Sequence, residues 1–222
     1  MNHTELLTDY LRRMGWKRFF FLVMGNIILG MGVGLFLATA TGCDPFNGMN
    51  MEVSKFLPLS YATYQLLVNL VLFALEFAFG RSLIGCGTIL NACFLGYINS
   101  FFFSLFSGLF GTEFSLPLRL VGVLLAVVLC SFGLSLYQTP GAGVAPYDSL
   151  AIILNRRFPK VSYFWWRMLC DVTCSTVCFL AGGLASGNLG IGTLICAFCF
   201  GPVIQFFNCT FTRKHVTPMP SK

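Results

Sequence analysis

Acidic side chains are scarce in this chain. There are eight Asp and Glu in 222 residues, and 10% of residues carry charge of either sign, against about 25% in ordinary soluble domains. So few charges cannot coat a soluble domain of this length, and a mean hydropathy of +0.79 points the same way. Histidine is nearly missing: His3 and His215 stand in the terminal segments, and no apolar segment holds one. Ser–His or Cys–His nucleophile activation therefore lacks its base, and no enzyme is expected. A phosphate loop is excluded as well, because no strand–glycine–helix context or Walker lysine occurs. No cleavable signal peptide is evident before the first apolar run.

What is present is a set of membrane-length apolar runs. They fall at 18–39, 60–80, 84–106, 118–138, 162–184 and 189–211, each about 20 residues or slightly more, as a helix needs to cross hydrocarbon. The net charge of +6 does not indicate nucleic acid, because the basic residues gather at segment ends. With the N-terminus in the cytoplasm, the inner side collects Arg12, Arg13, Lys17, Arg18, Arg81, Arg156, Arg157, Lys160, Arg213, Lys214 and Lys222. The outer side receives only Lys55 and Arg119. That bias places both termini inside. Trp16, Trp165 and Trp166 suit the headgroup level.

The first half of the chain is echoed in the second. Gly32, Leu35, Gly42, Pro45, Phe46 and Asn47 precede Gly133, Leu136, Gly143, Pro146, Tyr147 and Asp148 by a constant 101 positions. After small insertions Gln65 and Asn69 pair with Arg167 and Asp171, and Gly85-Cys86-Gly87-Thr88 with Gly190-Ile191-Gly192-Thr193. Three spans per copy oblige the second copy to enter the membrane from the opposite side. The expected fold is thus all-α, with about six transmembrane helices as two inverted three-helix repeats at 18–111 and 117–211, and cytoplasmic tails at 1–17 and 212–222. Such repeats are typical of secondary transporters.

Matched positions in the two halves are the first candidates for a site. Gly42-x-x-Pro45-Phe46-Asn47 and Gly143-x-x-Pro146-Tyr147-Asp148 each break the chain at glycine and open a short amphipathic helix at proline, read as interfacial or re-entrant. Free N–H groups at such a start suit an anion or a substrate carboxylate. Arg167 and Asp171 stand one turn apart in the fifth span, opposite the uncharged Gln65 and Asn69. Two roles compete there: Asp171 as a titrating or cation-binding group, or an Arg–Asp–Gln–Asn knot tying the halves together. Arg167 is near enough to the inner interface to snorkel. Glu76, near the inner end of the second span, is expected to reach the interface, and its repeat partner is Cys178. The glycines at 30, 32, 34, 85, 87, 190 and 192 are read as close-packing positions. The ten cysteines are read as small apolar fillers.

The Gly30–Asn47 run and its copy at 133–149, with the later Gly-x-Gly-Thr starts, resemble the glycine-rich span and G-x-x-P-aromatic-Asp loop of bacterial YczE/YitT-type membrane proteins. The first copy departs from that pattern, with Asn47 where the acid is expected. The resemblance implies a multi-span protein of the bacterial cytoplasmic membrane. The expected function is a small-solute transporter or exporter, without cofactor, acting on a small molecule or ion in the lipid bilayer. Asp171 is its expected titratable element and the two loops its gates. The competing class is a membrane accessory, sensor or regulatory factor acting through a membrane protein partner or as a homodimer.

Overall fold

The structure, a computed structural model, describes residues 3–111, 115–183 and 188–216. Among these, regular structure is entirely helical: α1 (His3–Thr39), α2 (Pro45–Ser54), α3 (Tyr61–Phe79), α4 (Cys86–Phe110), α5 (Leu116–Gln138), α6 (Pro146–Arg157), α7 (Tyr163–Gly182) and α8 (Ile191–Phe207). A 3-10 turn at Arg81–Leu83 joins α3 to α4, and a π-helical turn at Asn208–Thr212 follows α8.

The ends of these helices follow from local chemistry. Asp44, in extended conformation, caps α2 by accepting from the Asn47 amide at 3.1 Å, and Pro45 takes the first turn, where its missing N–H costs nothing. Pro146 opens α6 in the same way, but Ala145 before it has no side chain with which to cap. Ser60 caps α3, and Gly80 ends it. At the start of α4 the Gly85 amide donates to Thr88 Oγ1 at 3.2 Å, and at the start of α8 the Gly190 amide donates to Thr193 Oγ1 at 3.3 Å.

Five helical stretches among the described residues are long and apolar enough to cross a membrane: Met14–Thr39, Tyr61–Phe79, Cys86–Phe110, Leu116–Gln138 and Ile191–His215. The 20-residue α7 has the length, but Arg167 and Asp171 leave it short of the apolar character of the other five. Within the expected tail the described residues are helical, and the helix breaks at Gly15, whose φ of +66° only glycine adopts readily, before the first span continues to Thr39. The tail beyond Val216, with Lys222, and Leu184 at the end of the expected fifth run lie outside the described residues.

The core is the crossing of α1 over α5, with α4 against α1 and α8 against α5. Leu29, Val33, Phe36, Val127 and Cys130 form its centre. Small residues let these backbones meet, as helix pairing in lipid requires. A Cβ on Gly133 would lie 2.5 Å from the Leu29 amide nitrogen, and one on Gly32 2.6 Å from Cys130 Sγ. The short helices α2 and α6 do not lie on the outside. Pro45 to Gly48 of α2 and Pro146, Tyr147 and Ser149 of α6 are buried, α2 packing on α7 and α6 on α3 and α7. Outer faces of α4, α5 and α8 expose Phe101, Leu124 and Phe198, as bilayer-facing surfaces do.

The α1–α5 crossing yields a direct test. Gly133→Val places side-chain carbon inside α1 and should cost roughly 1–3 kcal/mol by overpacking, read as a lower unfolding temperature in detergent. Gly108→Ala, with no atom of the described residues within 4 Å of its added carbon, should leave the temperature unchanged. Equal effects of the two would contradict this packing.

Candidate functional site

The chain breaks between α1 and α2, and between α5 and α6, hold the site in place. Each break is tied to the start of a helix in the opposite half. The Gly192 amide donates to Thr41 O at 2.9 Å and the Cys43 amide to Asn188 O at 3.2 Å. In the other break the Gly87 amide donates to Ala142 O at 2.8 Å and the Val144 amide to Leu83 O at 3.0 Å. Gly42 (φ +102°) and Gly143 (φ +119°) sit in these crossings, where added carbons would fall 2.7 Å from Thr193 Oγ1 and 2.6 Å from Thr88 Oγ1. Both the positive φ and the lack of space demand glycine.

The crossings bring the first turns of α2 and α6 face to face. Phe46 stacks on Tyr147 with ring centroids 4.4 Å apart and planes inclined by 17°, and Cys170, Cys174 and Val68 pack around the pair. The next residue on each side heads a polar cluster. Asn47 Oδ1 accepts from Tyr61 OH at 2.8 Å, Gln65 Nε2 at 2.9 Å and Asn99 Nδ2 at 3.1 Å. Its own Nδ2 donates to Asp44 Oδ2 at 2.7 Å. Burial pushes the Asp44 carboxyl up from its ordinary range, and the two Asn47 donors pull it partly back.

The second cluster is charged. Asp148 accepts from Arg167 Nη1, Arg167 Nε donates to Asp171 Oδ2 at 3.2 Å, and Tyr147 OH donates to Asp171 Oδ1 at 2.6 Å. The guanidinium carbon lies 4.7 Å from the Tyr147 ring centroid, a favourable cation–π distance. Arg167 thus turns inward between two carboxylates rather than snorkelling outward.

Four of the expected residues do not form a single knot. Arg167 and Asp171 join Asp148, Gln65 joins Asn47, and Asn69 donates to Ala92 O at 3.2 Å, outside both clusters. The reason is the aromatic stack, which stands between the two sets. Glu76, near the end of α3, is covered by its neighbours and fully buried. Asp44 and Tyr61 were missed by sequence reasoning, whereas Asn99, whose type suits a hydrogen bond between helices, makes one to Asn47 and one to Tyr61. Asp44 had a visible cue in its position before Pro45; Tyr61 acquires its meaning only once α3 is folded beside α2.

Between the clusters lies a cavity of about 1590 Å³. Asp44, Asn47, Tyr147, Asp148, Arg167 and Asp171 all reach it, with Asn69 and Arg81 further along its wall. Cys43, Cys130 and Cys196 pack within the main core, and all ten cysteines are free thiols.

The charged cluster can be tested against its neutral counterpart. Arg167→Gln alone orphans two carboxylates and should destabilise the protein by roughly 1–3 kcal/mol. Combining it with Asp148→Asn and Asp171→Asn recreates the Gln65–Asn47–Asn69 set and should recover most of that loss in thermal unfolding. A triple variant as unstable as the single one would overturn the view that these charges balance one another.

Comparison with known proteins agrees with a membrane chain. It is 25% identical over 190 residues to the uncharacterized membrane protein YczE of Bacillus subtilis (strain 168), covering 85% of this chain and 84% of that one. An uncharacterized protein of Haemophilus influenzae (strain ATCC 51907 / DSM 11121 / KW20 / Rd) is 25% identical over 192 residues, 86% of this chain and 84% of the relative. The uncharacterized protein YyaS of Bacillus subtilis (strain 168) is 22% identical over 208 residues, 89% of this chain and 95% of the relative. No solved structure matches the chain. The family model for DUF6198, a family of unknown function, matches residues 16–209, so this multi-helix membrane protein belongs to that family.

Proposed function

We propose that the chain is a small-solute transporter working by alternating access between two inverted three-helix repeats. In this reading α7 is the sixth span, both termini are cytoplasmic, and the membrane is the bacterial cytoplasmic membrane. The pairing of contacts supports the repeat: the Gly42 and Gly143 crossings use equivalent atoms, and the stacked Phe46 and Tyr147 are themselves equivalent positions. The distribution of Lys and Arg supports the orientation.

The cavity carries the functional reading. It opens between the two halves, at the N-terminal turns of α2 and α6, where broken helices of transporters present their ligands. Asp44, Asp148 and Asp171 face Arg167 there, beside the Tyr147 and Phe46 rings. Carboxylates and aromatic faces suit an ammonium group, and Arg167 suits a carboxylate. The solute class is therefore a small zwitterion or organic cation. A solute entering the cavity competes for Arg167 with Asp148 and Asp171, and this frees α6 and α7 to shift. The loop crossings serve as the gates, because they are where each half holds the other through backbone hydrogen bonds.

The test is a thermal-shift screen of the detergent-purified chain against amino acids, polyamines, quaternary amines, alkali cations and short peptides, with Asp171→Asn alongside. A ligand present at 100 times its dissociation constant stabilises the native state by about 2.7 kcal/mol. Stabilisation by one class, lost in Asp171→Asn, and uptake of the same compound by reconstituted liposomes are the expected results. No stabilisation by any probe, with both proteins folded, would reject the transporter and favour an accessory factor that acts through a membrane partner.

A further inference from the structure

Behind the charged cluster, on the side of α6 away from the cavity, Glu76 of α3 is fully buried. Among the described residues, no donor meets either of its carboxyl oxygens in hydrogen-bonding geometry. The cations that could serve it, and the nearest hydroxyl, are turned elsewhere. Arg81, five residues further along, donates through Nε to Phe77 O at 3.0 Å and lies over the Phe77 ring at 4.4 Å. Ser149 of α6 faces Glu76 but spends its hydroxyl proton on Pro146 O at 2.8 Å. Arg167 is held by Asp148 and Asp171. The ionisable groups that face Glu76 from neighbouring helices are Asp148 on α6 and Tyr137 on α5, neither of them a cation. Tyr137 OH meanwhile accepts from the Ala145 amide at 2.7 Å.

An isolated carboxylate in such a place is prohibitively costly, and the group neutralises instead. Packing does not explain why a carboxyl is there at all. In the other half the equivalent contact, α7 against α2, is closed by Cys178 beside Gly48, with Sγ 3.5 Å from where a Gly48 Cβ would be. A small thiol fills that position, and the buried carboxylate nearby, Glu52 of α2 against Gly182 of α7, is paired with Lys55 at 2.7 Å. Asp171 likewise has a counter-charge and two donors.

We propose that Glu76 is a proton-binding site of this protein, closed by α6 and emptied when α6 moves away from α3. The O–H bond forms on one Glu76 oxygen while Ser149 and Asp148 cover it. It breaks when water from the cavity reaches the carboxyl, and the proton leaves to that water. The purpose of the proton, coupling to solute movement through the Asp148–Arg167 contact on the same helix, rests on the transporter reading; the site itself does not.

The experiment is infrared difference spectroscopy of the full chain reconstituted in phosphatidylethanolamine–phosphatidylglycerol vesicles, stepped from acid to alkaline pH in water and in heavy water. The wild type should show a protonated-carboxyl carbonyl band at neutral pH that shifts on deuteration and is lost as pH rises. E76Q, isosteric with the neutral acid, should lose the band while eluting as wild type. E76C, which copies the thiol of the other half, should do the same, and D171N should keep the band. Persistence of the band in both Glu76 variants, or no band in the folded wild type, overturns the proposal. A Glu76-dependent band in a protein that moves no solute in the liposome assay rejects transport and leaves the proton site standing.

Discussion

Backbone that leaves the helix inside a protein must find its hydrogen bonds there, because a buried, unpaired peptide group is costly. The rest of this structure depends on how that requirement is met at two places, residues 40–44 and 139–145. Neither break satisfies itself fully. Thr41 and Cys43 bond to Gly192 and Asn188, and Ala142 and Val144 bond to Gly87 and Leu83. Each half therefore supplies partners that the other half lacks. The crossings fix where α2 and α6 begin, and so bring Phe46 onto Tyr147. They also fix where the following residues, Asn47 and Asp148, enter the cavity. A glycine is needed at each crossing for a reason of distance as much as of φ, since the opposing threonine hydroxyl occupies the space of a side chain.

On this shared backbone the two clusters differ in charge as sets. Asn47, Gln65 and Asn69 stand opposite Asp148, Arg167 and Asp171. An arginine alone in such a position would be an uncompensated charge, and either aspartate alone likewise, at about 2.5–3.5 kcal/mol on insertion scales. Together they offset one another: Arg167 binds both acids, and Tyr147 takes the remaining oxygen of Asp171. The neutral set reaches the same end differently. Three donors converge on Asn47 Oδ1, and Asp44 receives the amide hydrogens that Asn47 turns the other way. Tyr147 carries the hydroxyl that Phe46 lacks, and Asp44 the carboxyl that Ala145 lacks. Each cluster thus has one substitution in the loop or first turn that completes its hydrogen bonding.

Much of the fold was legible because its signals are local or periodic. The apolar runs, the glycine spacing and the prolines opening α2 and α6 are all visible in sequence, and the recurrence at 101 positions identifies the two breaks as a pair. The candidate residues Gly42, Asn47, Gly143, Asp148, Arg167 and Asp171 follow from that recurrence, and all line the crossings or the cavity. What was not legible depends on which face of a helix meets which neighbour. Gln65 and Arg167 occupy equivalent positions but bond within separate halves, since the Phe46–Tyr147 stack stands between them. Glu76 has an arginine five residues away, which suggests pairing at an interface; in the fold Arg81 turns back to Phe77 and leaves it alone. Hydropathy also misjudges α2, whose modest apolar content hides a nearly complete burial, because Asn47, Asn50 and Glu52 are buried polar residues.

The position of Glu76 has a mechanical consequence. α6 carries Asp148 toward the cavity and Ser149 toward α3, so one short helix separates an ion-paired site from an unpaired acid. Movement of α6 cannot alter one without altering the other. On the transporter reading, a solute that draws Arg167 away from Asp148 frees α6 to leave α3 and opens Glu76 to water, so the proton is released. When Arg167 recovers Asp148, α6 closes over Glu76 and the proton is retained. Binding of a solute and retention of a proton are thereby linked with opposite sign through two adjacent residues, and thermodynamic reciprocity makes the linkage run both ways. The symmetry-related contact, Cys178 of α7 against Gly48 of α2, has neither the carboxyl nor the hydroxyl at those positions and cannot take part in such a linkage. On this reading the asymmetry between the halves assigns the proton to one of them, while the paired crossings leave both free to move.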